Sequence, residues 1–155
     1  MTPDVKRLID FYSSPLGKIS RALVREEIIR LSGNVQGLRV LGLGFATPYM
    51  RFTLDRAERV LAFMPARQGS SAWPREGPSR TVLCDPLEMP LTDSAVDLII
   101  AVHAFEHIAD AEELISEHAD WLRDKARIGI TGGTSTPEVD LEETRDRIYA
   151  LAATA

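Results

Sequence analysis

The sequence predicts a doubly wound α/β domain built on a mostly parallel sheet of five strands. The first observation is that five short runs are apolar throughout, as buried parallel strands are. The second is that helical or turn-rich segments separate these runs, so each connection is a crossover and not a tight hairpin. The third is that two amphipathic helices precede the first run. We expect a single domain over residues 1–155, with strand order 3-2-1-4-5.

Two helices are predicted before the first strand. Thr2-Pro3 is typical of a helix start, because Thr can cap free N–H groups and Pro is tolerated in the first turn. Ser14-Pro15 interrupts this helix and starts a second one, which Gly33 ends. The side chains expected to face the core are Val5, Leu8, Ile9 and Tyr12 in the first helix and Leu16, Ile19, Leu23, Val24, Ile28 and Leu31 in the second.

The strands follow in order along the chain. A short helix is expected between the first two, from the Thr47-Pro48 pair to about Glu58, and the Gly- and Pro-rich residues 65–78 are expected to form a loop. Asp110 is a candidate cap for a later helix, and Ser135 begins the last one. The predicted strands are residues 39–43, 60–63, 81–84, 96–102 and 127–131.

Composition excludes several classes of protein. The net charge of −5 argues against nonspecific binding to nucleic acid, which depends on Lys and Arg. A single cysteine, Cys84, cannot form an internal disulfide or hold an iron–sulfur cluster. No apolar run approaches the ~20 residues of a membrane helix. We therefore expect a cytoplasmic protein with no nucleic-acid or membrane partner.

The residues after the strands are the first place to look for a ligand. In an open parallel sheet, ligands bind beyond the carboxyl ends of the strands, where the strand order reverses. Gly42 and Gly44 stand at the end of the first strand, where glycines permit a sharp turn and the close approach of a ligand. A helix beginning after them would offer free N–H groups. A tight turn without a ligand explains this pair of glycines equally well.

Three motifs in order give a more specific signal. They are Val-Leu-Gly-Leu-Gly at 40–44, Asp-Pro-Leu-Glu-Met-Pro-Leu-Thr-Asp-Ser-Ala-Val-Asp at 85–97 and Ala-Phe-Glu-His-Ile-Ala-Asp at 104–110. Together the motifs resemble class I S-adenosylmethionine-dependent methyltransferases over residues 38–114. Residues 61–69 and 73–78 also resemble a bacterial subgroup of methyltransferase-like proteins. The resemblance implies a Rossmann-like, truncated methyltransferase fold with helices over 1–37, a cofactor-binding core over 38–114 and a divergent strand and helix over 115–155.

The resemblance also implies a cofactor site. Asp85 matches the acid that faces the adenine amino group in this family. Three departures stand out: Gly42 replaces an acidic residue, Ala46 and Pro48 replace loop glycines, and Met64 replaces the carboxylate that binds the ribose hydroxyls. The residues expected to contact S-adenosylmethionine are Gly42, Leu43, Gly44, Phe45, Ala46, Met64, Asp85, Pro86, Val102 and His103.

The functional hypothesis is S-adenosylmethionine-dependent methyl transfer to an unidentified small molecule. No pair of residues identifies a general base, and methyl transfer needs mainly alignment and a dry site. The alternative is a Rossmann-like domain that has kept the fold and lost the cofactor. His103 and His107 have the spacing of two metal ligands on a helix, but no third ligand is evident, so we expect no metal site.

The C-terminal residues resemble a second family. Residues 121–138 are similar to the C-terminal segment of 4-hydroxy-3-methylbut-2-enyl diphosphate reductases, in which the residue matching Ser135 contacts a diphosphate. That enzyme needs three cysteines for its cluster, so its activity is excluded in a chain with one. Diphosphate binding at residues 132–135 is the remaining implication, and the chain can be read as a natural or a constructed mosaic.

Overall fold

The computed structural model describes residues 4–92, 94–104, 142, 145, 146, 149 and 150. Two helices, α1 (Val5–Ser13) and α2 (Pro15–Ser32), precede four strands. The strands are β1 (Arg39–Gly44), β2 (Arg59–Pro65), β3 (Thr81–Cys84) and β4 (Leu98–Val102). Two three-residue 3₁₀ turns, Thr47–Tyr49 and Arg51–Thr53, lie between β1 and β2.

The four strands form one parallel sheet in the order β3-β2-β1-β4. Leu41 on β1 pairs with Leu61 on β2 and with Ile99 on β4, so β1 lies in the middle of the sheet. This confirms the predicted α/β class and the first four positions of the strand order. The predicted fifth strand, the helices expected from Asp110 and Ser135, and His107 lie outside the described residues.

Capping residues fix the ends of both helices. Asp4 caps α1, because its side chain accepts a hydrogen bond from the Arg7 N–H at 2.9 Å. The prediction that Thr2 caps this helix is wrong, since α1 begins only at Val5. Ser14 ends α1 and caps α2, with its hydroxyl oxygen accepting from the Gly17 N–H at 3.1 Å. Gly33, at φ 64°, ends α2 as predicted.

The predicted inward face of α2 is only partly correct. Ile28 is buried, but Leu16 is 65% exposed, Ile19 61% and Leu23 65%. The reason is that α1 crosses α2 at Gly17, where an added β-carbon would lie 2.9 Å from the Cα atom of Tyr12. This contact turns the face that carries Gly17, Val24 and Ile28 toward the core. Leu16, Ile19 and Leu23 lie about 120° away on the helix surface.

The helix predicted from Thr47 to Glu58 does not form. Ala46 precedes the first 3₁₀ turn, and no side chain caps either turn. Thr47, Tyr49 and Met50 are all buried, and three residues so close in sequence cannot share one narrow face of an α-helix. The fully buried Thr53 hydroxyl also donates to the Met50 carbonyl at 2.7 Å. Burial of this segment therefore decides its conformation over its capping signals.

The sheet separates two apolar clusters. One face packs against α1, α2 and the 3₁₀ turns through side chains that include Leu8, Tyr12, Ile28, Val40 and Met50. The other face carries Leu41, Leu43 and Phe63 and packs against residues between β3 and β4, such as Leu87 and Val96. Strand β3 is an edge strand with Leu83 50% exposed, so the prediction that Cys84 lies in a buried strand is wrong.

Asp97 fixes the amino end of the sheet. Its carboxylate accepts from the Arg39 N–H at 2.8 Å and from the Arg39 guanidinium at 2.9 and 2.7 Å. The Asp97 N–H in turn donates to the Arg39 carbonyl at 2.9 Å. Beside this carboxylate, the pKa of Arg39 rises above its ordinary value, because the charged guanidinium is stabilised. Asp97 is therefore structural and lies at the opposite end of the strands from the candidate site.

Candidate functional site

The candidate site lies at the carboxyl edge of the sheet, between β1 and β4. Chain connections run from β1 outward through β2 to β3 and then return to β4 on the other side of β1. The strand order therefore reverses between β1 and β4, which is the position at which open α/β sheets bind ligands. The residues at this switch point are Gly44 at the end of β1, Phe45 directly after it, and His103 and Ala104 after β4.

Gly44 permits β1 and β4 to approach each other closely at this edge. Its φ is +75°, in the left-handed region that favours glycine. A β-carbon added to Gly44 would lie 2.8 Å from the backbone of Ala104 and still closer to the Val102 carbonyl. The next residue, Phe45, donates its N–H to that Val102 carbonyl at 2.7 Å. The predicted sharp turn is therefore present, and it is tied directly to the end of β4.

Gly42 serves a different purpose, because the chain after β1 folds back over it. The Met50 sulfur lies where a β-carbon on Gly42 would stand, and the Ala46 methyl carbon would be 3.0 Å from it. Both Met50 and Ala46 are fully buried. The absence of a side chain at position 42 thus accommodates the 3₁₀ segment on the sheet face.

Met64 is packed into the core. It is 0% exposed and belongs to the cluster that also contains Phe45, Tyr49 and Met50. The residue lies inside β2, which extends one residue further, to Pro65. A thioether is a weak hydrogen-bond acceptor and suits this apolar setting. Position 64 therefore contributes packing to the described structure and offers no carboxylate at this edge.

Tyr12 on α1 connects the elements around the switch point. Its ring stacks on Phe45 with centroids 5.9 Å apart and meets Tyr49 edge-on at 5.8 Å. Its hydroxyl accepts a hydrogen bond from the Tyr49 hydroxyl at 3.0 Å and shares one with His103 Nε2 at 2.9 Å. Burial raises the pKa of Tyr49, and the hydrogen bond to Tyr12 opposes that rise. A chain of three polar groups thus runs from the 3₁₀ segment to the end of β4.

His103 adopts a backbone conformation that is uncommon for a residue other than glycine. Its φ is +51°, which costs energy unless neighbouring groups hold it. Tyr12 holds the imidazole, and the Gln68 amide donates to the His103 carbonyl at 3.5 Å. The ring is half-buried, so it remains partly accessible at the switch point.

Asp85 lies at the end of β3, two strands away from β1. Its carboxylate accepts from the Leu87 N–H at 3.0 Å, and its carbonyl accepts from the Glu88 N–H at 3.1 Å. Asp85 is exposed, whereas the next residue, Pro86, is buried. Burial, and then the charge of Asp85, raise the pKa of the Cys84 thiol to about 11. The turn after β3 therefore presents the accessible Asp85 carboxylate beside a thiol with a raised pKa.

The ten residues predicted to bind the cofactor fall into two groups. Asp85 is exposed and His103 is half-buried, so both can meet a ligand directly. An accessible carboxylate fits an adenine amino group, but buried apolar residues stand where the ribose and the methionine part would need polar partners. The described residues therefore fit S-adenosylmethionine only in part. The buried group consists of Gly42, Leu43, Gly44, Phe45, Ala46, Met64, Pro86 and Val102.

The described part of the chain offers neither a cluster of metal-binding side chains nor a helix suited to crossing a membrane. No group of three or more His, Cys, Asp or Glu side chains is arranged there to hold a metal ion. Within the same residues, no helix combines the length and the hydrophobicity that crossing a bilayer requires.

Sequence patterns do not identify several of the residues that build this edge. Tyr12 was expected to face the core, but its hydrogen bond to His103 spans 91 positions in the sequence. The sequence pattern predicts a helix over Tyr49 and Met50 and a loop at Gln68. The sequence signal for these four residues is weak, because each is only a large side chain in a segment rich in turn residues. Only the tertiary fold brings them to the ends of β1, β2 and β4.

Comparison with known proteins gives one finding. A family model described as a methyltransferase domain matches residues 39–130, which is more than half of the chain. No match was found among curated proteins or among solved structures. The comparisons therefore lend no support to the similarity of residues 121–138 to the diphosphate reductases, and those residues lie outside the described structure.

Proposed function

Because the chain belongs to the methyltransferase domain family, we propose that it is an S-adenosylmethionine-dependent methyltransferase that acts on a small molecule. The observation that carries this proposal is the switch point, where the left-handed Gly44 turn and His103 meet at the carboxyl edge of the sheet. This is the edge at which the sheet topology favours ligand binding. The expected cytoplasmic location and the small-molecule partner remain predictions.

Asp85 and the ends of β1 and β4 have different roles in the proposed site. Asp85 accepts a hydrogen bond from the adenine amino group, since its carboxylate is exposed at the end of β3. The backbone of residues 42–46 and the β4 end at Val102 and His103 border the remainder of the site. When bound, S-adenosylmethionine supplies an electrophilic methyl group on a cationic sulfur. The aromatic side chains beside Gly44 keep water away from that region.

The proposal is tested by calorimetric titration with S-adenosylhomocysteine, in parallel with thermal unfolding. A ligand that binds only the folded state stabilises it by about 2.7 kcal/mol when its concentration is a hundred times its Kd. The melting temperature therefore rises. We expect binding that weakens about tenfold in Asp85→Asn, because the hydrogen bond to the adenine amino group loses its charged acceptor. Glu88→Gln is the matched control, since Glu88 is an exposed acid in the same turn.

A second candidate function is a Rossmann-like domain that has lost the cofactor. One observation favours it: the Met50 sulfur occupies the space beside Gly42, and Met64 is fully buried. The same titration separates the two functions. No heat and no thermal shift at about millimolar S-adenosylhomocysteine, with the fold intact by circular dichroism, would favour the non-catalytic domain.

A further inference from the structure

Helix α1 is fastened to the carboxyl edge of the sheet at two points. At its start, the Val5 N–H donates to the Gln68 carbonyl at 2.9 Å, and Gln68 follows the end of β2. Near its end, the Tyr12 hydroxyl and His103 Nε2 are 2.9 Å apart, and His103 follows the end of β4. The helix is therefore tied to the two strands that flank β1.

The dimensions show that α1 crosses the end of β1. Val5 and Tyr12 are seven residues apart, which is about 10.5 Å along an α-helix. Strands β2 and β4 are separated by two strand spacings, which is about 9.6 Å. The helix is therefore long enough to reach from β2 to β4, and its two hydrogen bonds place it across the end of β1. Phe45, at the end of β1, stacks directly beneath the Tyr12 ring.

This cover rests on few buried side chains. Of the nine residues of α1, only Leu8 and Tyr12 are buried. Val5 and Phe11 are half-buried, and most of the remaining residues are exposed. Segments with few buried contacts open locally at a lower free energy than the core of the same protein. By contrast, β1 is bonded to a strand on each side along most of its length.

We propose that α1 is a movable cover over the switch point, pinned by Tyr12, and that a ligand reaches the end of β1 when α1 lifts. The identity of that ligand as the methyl donor rests on the function proposed above. The cover explains why the residues after β1 are buried although they stand at a ligand-binding edge. Ser14, in extended conformation between α1 and α2, is the pivot.

The cover has a quantitative consequence for binding. If only the lifted state admits the ligand, the apparent Kd equals the intrinsic Kd divided by the fraction of molecules that are open. Removing the Tyr12 ring raises that fraction. Tyr12→Ala is therefore expected to bind more tightly than the unchanged protein, although it is less stable. Tyr12→Phe loses the bonds to Tyr49 and His103 but keeps the ring, so its effect is smaller.

The first experiment uses the protein without ligand. Amide hydrogen exchange is followed for residues 5–13 and compared with residues 39–44. We expect α1 to exchange faster than β1, and Tyr12→Ala to accelerate α1 by at least about tenfold more than it accelerates β1. The matched control is Ile28→Ala, which removes a buried α2 side chain from the same cluster. Equal acceleration of α1 and β1 in Tyr12→Ala, or in Tyr12→Phe if the alanine variant does not fold, overturns the cover.

The second experiment adds S-adenosylhomocysteine to the same variants. We expect Tyr12→Ala to bind S-adenosylhomocysteine most tightly, Tyr12→Phe less tightly and the unchanged protein least tightly. Ligand addition should also accelerate the amide exchange of α1. Weaker binding by Tyr12→Ala with unchanged binding by Ile28→Ala would overturn the cover and make Tyr12 a ligand contact. If no variant binds, the proposed function fails, and the exchange measurements still decide whether α1 lifts.

Discussion

The sulfur atom of Met50 occupies the space that a β-carbon on Gly42 would need. The two residues are eight positions apart, and two 3₁₀ turns bring Met50 back over the sheet. Gly42 stands at the position where the resemblance to class I methyltransferases implies an acidic residue. Close packing against a buried methionine is a physical reason for a glycine there, since packed interiors do not absorb an added atom without strain.

Gly42→Ala should destabilise the protein by about 1–3 kcal/mol, the usual cost of overpacking a core. Urea unfolding measures this loss. In a background that already carries Met50→Ala, the same change should cost clearly less, because the sulfur is gone. Equal costs in the two backgrounds would mean that Met50 does not limit position 42.

Met64→Glu should reduce the free energy of unfolding more than Met64→Gln does, because position 64 is fully buried and a buried charge is costly. Burial raises the folded-state pKa of the new carboxyl above its unfolded value of about 4.3. The variant is therefore least destabilised below about pH 4, where the carboxyl is neutral in both states. Its stability falls, relative to the glutamine variant, as the pH rises through the folded-state pKa.

Chemical unfolding of both variants at several pH values tests this prediction. Equal stability of the two variants at neutral pH would show that water reaches position 64. In that case the glutamate carboxylate could accept hydrogen bonds from the ribose hydroxyls. The glutamate variant should then bind S-adenosylhomocysteine about tenfold more tightly than the glutamine variant does.

Asp97→Asn should lower the melting temperature, since Asp97 accepts three hydrogen bonds from Arg39 at the amino ends of β1 and β4. The loss should exceed that of Glu27→Gln, which breaks an exposed pair with Arg30 on α2. Neither substitution should change the affinity for S-adenosylhomocysteine, because both lie away from the carboxyl edge. A selective loss of affinity in Asp97→Asn would contradict the structural role.

Cys84 should react slowly with iodoacetamide near neutral pH. The thiolate is the reactive form, and burial together with Asp85 raises the pKa of this thiol to about 11. The alkylation rate should rise with pH up to about 11, and Asp85→Asn should shift that rise to lower pH by removing a negative charge. Fast alkylation at pH 7.5, measured by mass spectrometry on the folded protein, would rule out the raised pKa.

Local signals in the sequence determined the elements and much of their order. Five apolar runs separated by crossovers predicted a parallel sheet, and the four described strands confirm it in the order β3-β2-β1-β4. Ser14-Pro15 and Gly33 correctly marked helix ends, because a cap bonds backbone groups that are close to it in sequence. The three motifs also identified the family that the comparison shows.

The tertiary structure decided which faces are buried and what occupies the carboxyl edge. The side of α2 that faces the core depends on the contact of Gly17 with α1, which hydrophobic periodicity cannot reveal. Packing of Met50 on Gly42 replaced the helix that Thr47-Pro48 predicted, because the burial of several neighbouring side chains outweighs one capping signal. The link from Tyr12 to His103 depends on the placement of α1 across β1, and sequence patterns carry no information about contacts between such distant residues.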